Sequence, residues 1–164
     1  MFPLGHAGLA LVAARRWGAD PRWAALFALG PDLLDKPLSV LVPSLVSGNT
    51  RNFGHTALAA AVLLAALLAA RGRLRGARLL WCCWAGHLVL DRMWLDPNPV
   101  IFYWPLRGAF PRPDRQGYTE HYLDPWYVGG ELAGLLFLVF FVRRHRLADR
   151  ARLAAFLRTG RLPG

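Results

Sequence analysis

Residues Leu79–Leu95 read LLWCCWAGHLVLDRMWL. The stretch is apolar enough to enter a bilayer, yet it carries His87 and Asp91 four residues apart. On a helix that spacing places both side chains on one face, a turn apart. A carboxylate inside a membrane helix costs about 2.5–3.5 kcal/mol on insertion scales, so it calls for a partner, a cavity or a metal. An imidazole and a carboxylate on adjacent turns are ordinary ligands for zinc or another divalent ion. Partners for this pair must come from the rest of the chain.

The 164 residues suit a single domain. Apolar residues make up 55% of the chain and fall in long runs, which favours an integral membrane protein over a soluble helical domain. The net charge of +10 comes almost entirely from Arg, with Lys36 the single lysine. The arginines cluster at the ends of apolar runs, a placement that speaks for membrane orientation and contact with anionic lipid and against nucleic acid as a partner. Cys82 and Cys83 are adjacent in an apolar run. They are too few for a disulfide framework, lack metal-ribbon spacing, and read as small buried hydrophobes.

Phe2–Ala14 has no basic region ahead of it; Arg15 and Arg16 follow it, the reverse of a cleavable signal. It is expected to be retained and to enter the membrane from the outer side. Asp20-Pro21 forms a helix start, with Asp as N-cap and Pro at the first helical position. Apolar Trp23–Gly30 follows, and the segment from Pro31 to Pro37 is expected to break it. Leu38–Val46 is apolar but too short to span, and Ser47–Asn52 is a polar link. Gly54-His55-Thr56 heads the run Ala57–Ala70, which ends in the arginines from Arg71 to Arg78. After Leu79–Leu95 comes a proline-rich loop, Asp96–Pro125, then Trp126–Val142 and a basic amphipathic tail, 143–164. Many of the chain's aromatics fall between Trp94 and Tyr127, so this long loop reads as functional rather than disordered. The expected fold is all-α, an integral membrane bundle of four to five apolar helices. Its first two helices are short or re-entrant, 1–142 is the domain, and 96–125 is an outer loop.

The positive-inside rule puts Arg71–Arg78 and the tail on the cytoplasmic side of the inner membrane. Ala57–Ala70 then runs inward, Leu79–Leu95 outward and Trp126–Val142 inward. Arg15, Arg16 and Arg22 also fall inside. Under this topology His6, Asp32, Asp35, His55, His87, Asp91, His121 and Asp124 all come to the outer face. Charge and ligand-type residues are independent signals, and their agreement is the strongest feature of the sequence.

Each candidate has a plainer alternative. HxxxD on a helix also describes a hydrogen-bonded structural pair. Asp32 could cap a short helix and Asp35 could pair with Lys36; an acidic pair beside an apolar wall otherwise needs a cation. His55 at a helix start could be interfacial, with Gly54 allowing close backbone approach. His6 lies near the terminus in an apolar setting, and His121 with Glu120 could complete a second metal position, act as acid or base, or sit at the interface. Trp84 and Trp94 could wall a pocket or anchor the interface. His145, among arginines, reads as a surface residue.

The order His6, PDLLDKP (31–37), GHT (54–56), GHLVLDRMW (86–94) and FYWPLRG (102–108) closely resembles the YdjM-like family of LexA-binding, inner-membrane-associated, metal-dependent hydrolases. The likeness covers about two thirds of the chain. It implies an all-α membrane protein with a divalent-metal hydrolase centre. The succession His, Asp, His, HxxxD is also similar to the zinc-dependent phospholipase C and nuclease superfamily. That likeness implies metal ligation by His6, Asp32 or Asp35, His55, His87 and Asp91. The chain departs from that pattern in its DxxD spacing, in Arg51-Asn52 where His-Arg is usual, and in lacking a second helical HxxxD/E. One or two ions, with zinc favoured, fit it better than three.

The expected function is hydrolysis of a phosphoester, small or lipid-linked, at the outer membrane face. A bound divalent ion would lower the pKa of water to about 7. Asp35 or His121 would serve as general base and Arg51 would bind phosphate, with Arg92 and Arg107 as further candidates. The competing expectation is a non-enzymatic membrane protein, either an ion or proton pathway or a partner-binding scaffold, with a structural His/Asp cluster.

Overall fold

A computed structural model describes residues 3–70, 76–95, 98–112 and 124–162. Among them the chain forms helices α1 (Pro3–Arg16), α2 (Pro21–Leu41), a 3-10 turn (Phe53–His55), α3 (Ala57–Ala69), α4 (Ala77–Leu90), α5 (Pro99–Phe102), α6 (Pro125–Arg144) and α7 (Arg150–Thr159). No strand occurs among the described residues, so the expected all-α class holds.

Short polar side chains start these helices by accepting orphan backbone N–H groups. Asp20 accepts from the amide of Arg22 at 2.9 Å, with Pro21 at the first helical position. Thr56 accepts from Ala59 at 2.9 Å, Asp124 from Trp126 at 2.7 Å, and Asp149 from Arg152 at 2.9 Å. α4 ends differently. Met93 donates to the carbonyl of Leu88 and Arg92 to that of Val89, while Arg92 holds a φ of 52°. This is the paired-bond left-handed cap, and Met93 and Leu88 share a core cluster beneath it.

The expected break between Pro31 and Pro37 does not occur: α2 runs unbroken through both prolines. Each proline withdraws only its own N–H, which leaves the carbonyls of Phe27 and Leu33 without a helical donor and the rest of the ladder intact. Within this stretch Lys36 Nζ bonds Asp32 Oδ2 at 2.6 Å, an i,i+4 pair. Because the helix continues, Asp32 and Asp35 stay on one face.

α1 packs between α2 and α6, α2 against α4, and α4 against α3. Small residues let the first seam close: Ala10, Ala14, Ala24, Ala28, Leu79 and Cys83 form its buried core. Cys83 is thus a core residue, whereas Cys82 is exposed and both are free. The α1–α6 contact is closer still. A Cβ on Gly8 would collide with the backbone of Gly134, and one on Gly134 with the backbone of Leu4 and Gly5.

The C-terminal tail folds back onto this frame. Phe156 of α7 packs with Leu11, Phe141 and Leu147, and Arg22 Nη1 donates to the carbonyl of Leu157 at 2.8 Å. His145, expected on the surface, is buried against Phe141 with ring centroids 4.9 Å apart. The docking of α7 beneath the bundle closes over it. Chain direction therefore alternates, with α1 and α3 leaving the end that α2 and α4 approach. The termini bearing Arg15, Arg16, Arg22 and Arg78 gather at the opposite end.

One described helix, α6, is long and apolar enough to cross a membrane, with 20 residues and mean hydropathy of 1.6 over its best window. α3 and α4 are apolar but have only 13 and 14 residues.

Candidate metal centre

Four elements deliver the site. α1 brings His6 in its first turns, α2 brings Asp32 and Asp35 from its second half, the 3-10 turn brings His55, and α4 brings His87 with Asp91 at its end. His6, Asp32, Asp35, His55, His87 and Asp91 are all buried. Candidates spread over 86 positions of sequence thus meet in one interior cluster.

The imidazoles are held by their back nitrogens. His87 Nδ1 donates to the carbonyl of Ala28 at 2.6 Å, and His55 Nδ1 to Asp35 Oδ2 at 2.7 Å. A carbonyl and an ionised carboxylate only accept, so each ring carries its proton on Nδ1 and turns Nε2 inward. These two Nε2 atoms face each other at 3.2 Å. Two bare lone pairs at that distance repel, so a cation, either a proton or a metal, belongs between them. The back-side carboxylate on a histidine is the usual outer-shell arrangement of a metal-ligating imidazole.

His6 stacks on His87 with centroids 3.7 Å apart and planes 16° from parallel, and its Nε2 lies 3.1 Å from Asp91 Oδ1. Asp91 Oδ2 lies 3.7 Å from His55 Nε2 and 3.9 Å from His87 Nε2, and Asp32 Oδ1 lies 3.8 Å from His55 Nε2. Two overlapping sets follow, His6–His87–Asp91 and Asp32–His55–His87, each with its ligand atoms within 4.8 Å of one another. Both draw on His87 Nε2. A neutral imidazole offers one lone pair there, so His87 would serve one ion at a time. Three imidazoles and two carboxylates, with the back nitrogens of His55 and His87 already held, fit a zinc-like divalent ion.

Asp35, read as ligand or base, lies behind His55. Its oxygens take the amides of Asn52 and Gly54, both at 2.7 Å, the amide of His55 at 3.2 Å, and His55 Nδ1. With four donors on it, Asp35 orients His55. Asp32 is the member of the pair that faces the centre. Gly54 makes this possible, because a Cβ there would press on the backbone of Pro31 at 2.8 Å. Burial opposes protonation of His55, but Asp35 and Asp91 outweigh it and raise its pKa.

Asp32 and Asp91 each have a counter-cation. Lys36 pairs with Asp32, and Arg51 Nη2 lies 3.2 Å from Asp91 Oδ2 while its Nη1 donates to Asn98 Oδ1 at 3.3 Å. Arg51 is the guanidinium at the rim, with its side chain 24% exposed. Arg92 and Arg107 lie elsewhere, over the rings of Trp126 at 4.4 Å and Tyr103 at 5.2 Å. Trp84 packs on Gly30, and Trp94 lines a groove of about 340 Å³ between α3 and α4. Glu120 and His121 lie outside the described residues.

Several contributors have no signature in the sequence: the Ala28 carbonyl, the amides of Asn52 and Gly54, and Asn49. Asn49 accepts from the Arg51 amide at 2.9 Å and donates to the Pro111 carbonyl at 3.2 Å, tying the polar link to the segment that follows α5. Phe53, Trp104 and Phe110 pack edge-on and stacked beside it, with centroids 5.0 to 5.2 Å apart. Comparison of the chain with protein-family models, with curated proteins and with solved structures gives no match. The case for the centre rests on its own geometry.

Proposed function

We propose that this protein is a membrane-bound, metal-dependent hydrolase acting on a phosphoester at the outer membrane face. The observation that carries the reading is the pair of inward Nε2 atoms on His55 and His87, each locked by a back-side acceptor and joined by Asp32, His6 and Asp91. Ligand atoms from four elements thus turn toward one another in the interior, the arrangement a divalent ion would need.

A divalent ion held there supplies Lewis acidity and lowers the pKa of water to about 7. His6, His55, His87, Asp32 and Asp91 would hold one or two such ions; Asp35 and the Ala28 carbonyl keep His55 and His87 in the ligating tautomer. Arg51 stands at the rim, where a guanidinium can fork onto two oxygens of a phosphoryl group. Asp91 restrains Arg51 from one side and Asn98 from the other, which orders it in advance of substrate. The resemblance of the motif order to that of YdjM-like hydrolases adds to this reading.

Membrane location is supported by what the surface exposes. Only 17% of the apolar window of α6 is buried, whereas the core helix of a soluble protein is mostly buried. Leu33, Leu34, Val40 and Leu41 of α2, Val62 and Leu68 of α3, and Leu136 and Phe140 of α6 also stand exposed. Apolar surface on that scale is a contact surface, and lipid is the contact that suits all of its sides. A lipid-linked phosphoester suits such a location, and the almost wholly apolar α3–α4 groove offers space for its chain.

The test is hydrolysis of a phosphoester panel by purified full-length protein, with and without chelator, beside Arg51→Ala, His87→Ala and Asp91→Ala. Chelator-sensitive turnover that falls at least 100-fold in the last two supports the proposal. Turnover insensitive to chelator, or equal in all variants, overturns it. The alternative of an ion pathway predicts polar groups along the half of the bundle that α3 and α6 line away from the site. Leu58–Ala69 and Leu132–Val142 contain none.

A further inference from the structure

α6 supplies no candidate ligand, yet it holds the helix that carries His6. Pro3 occupies the first position of α1 and has no N–H to satisfy, so the next two amides, of Leu4 and Gly5, are the first orphan donors of the helix. Both are taken by one side chain from the far end of the sequence. Glu131 Oε1 accepts from Leu4 and Oε2 from Gly5, each at 2.9 Å. A carboxylate at a helix N-terminus is also favoured by the helix dipole. The next residue after these two amides is His6.

The surroundings show why this clamp matters. One turn beyond Glu131, Gly134 lies directly against Gly5 and Gly8, backbone on backbone. Such a seam brings helices close but has no side-chain teeth to resist sliding along the axis. The two bonds of Glu131 supply the register that the glycines lack. His6 Nε2 must land within reach of Asp91 Oδ1, 3.1 Å away, and a shift of one residue along α1 moves it about 1.5 Å.

We propose that Glu131 is a positioning residue for the metal centre, setting the axial register of α1 on α6 so that His6 can act as a ligand. The inference rests on the reading of the cluster as a metal site. It gives α6 a role in the site without a ligand of its own, since the site is completed only when α1 seats on that helix.

A double-mutant cycle on the full-length protein tests it, with Co2+ as probe and both affinity and electronic spectrum as readouts. Glu131→Ala weakens Co2+ binding at least tenfold and changes the spectrum in the same sense as His6→Ala, in line with the 10–100-fold typical of outer-shell partners. Glu131→Gln, which keeps one acceptor, lies between Glu131→Ala and wild type and guards against loss through misfolding. In the His6→Ala background, Glu131→Ala has no further effect. Additive losses in the double variant, or Co2+ binding and spectrum unchanged in Glu131→Ala, overturn the positioning role alone. A wild-type protein that takes up no Co2+ overturns the metal reading and this inference with it.

Discussion

Two imidazoles face each other across 3.2 Å in the candidate centre, and Asp35 shows how tightly His55 is held. Its carboxylate is fully buried and satisfies three backbone amides as well as His55. Asp35→Ala leaves those donors unpaired in the interior and is expected to cost about 3–5 kcal/mol, measured by thermal or denaturant unfolding. Asp35→Asn keeps the shape but replaces a carboxylate acceptor with a neutral amide behind His55; it should bind metal about 10–100-fold more weakly. Equal metal affinity in Asp35→Asn and wild type would show that Asp35 does not orient the ring. The histidines and aspartates were legible in the sequence because such residues are costly in apolar runs and so stand out. Which of Asp32 and Asp35 faces the centre was not legible. It depends on backbone amides brought by Asn52 and Gly54 and on the Ala28 carbonyl, and a backbone group carries no residue-specific signal.

At the level of elements, capping was readable and continuity was not. Asp20-Pro21 announced the start of α2, but two prolines argued for a break that the surrounding helix absorbs. Packing against α1 and α4 outweighs the loss of two ladder bonds. The contact of α1 with α6 through Gly5, Gly8 and Gly134 joins segments more than 120 residues apart and leaves no local pattern. Asp20 provides a pH test of its element. The hydrogen bonds from Arg22 hold its carboxyl below the usual carboxylate range, against a smaller opposing effect of burial. A depressed folded-state pKa means that its stabilisation is present in full above the unfolded value of about 3.9 and is lost as pH falls through the folded value. Asp20→Asn retains the cap, so it should cost less than about 1 kcal/mol at pH 7. Its unfolding midpoint should then fall less than that of wild type between pH 5 and pH 3. Parallel curves for the two proteins would remove the ion pair from the account.

For the molecule as a whole, the alternating helices carry the His/Asp cluster to one end and the arginine-bearing termini to the other. The sequence-based topology expects such a separation, because charge and ligand types are distributed along the chain with opposite phase, although Lys36 and Arg51 stand at the cluster itself. It did not anticipate that α7 would dock on Leu11 and Phe141 or that His145 would be buried, since tertiary packing of a short basic helix has no strong periodic signature. The proposed topology places Arg107 outside and Arg161 inside. In a background with Cys82 and Cys83 replaced by Ala, R107C should react with a membrane-impermeant thiol reagent in intact cells, and R161C only after permeabilisation. The reverse pattern would invert the topology.

On the proposed reading, the buried cluster is built to hold a metal ion rather than a proton alone. The most direct test is the metal stoichiometry of the purified full-length protein after equilibration with Zn2+ and removal of excess, beside His55→Ala, His87→Ala and Asp91→Ala. The wild type should hold at least one tightly bound ion per chain, and each variant should lose it with helical content retained. A folded wild-type chain without bound metal, or variants that hold as much as the wild type, would contradict it.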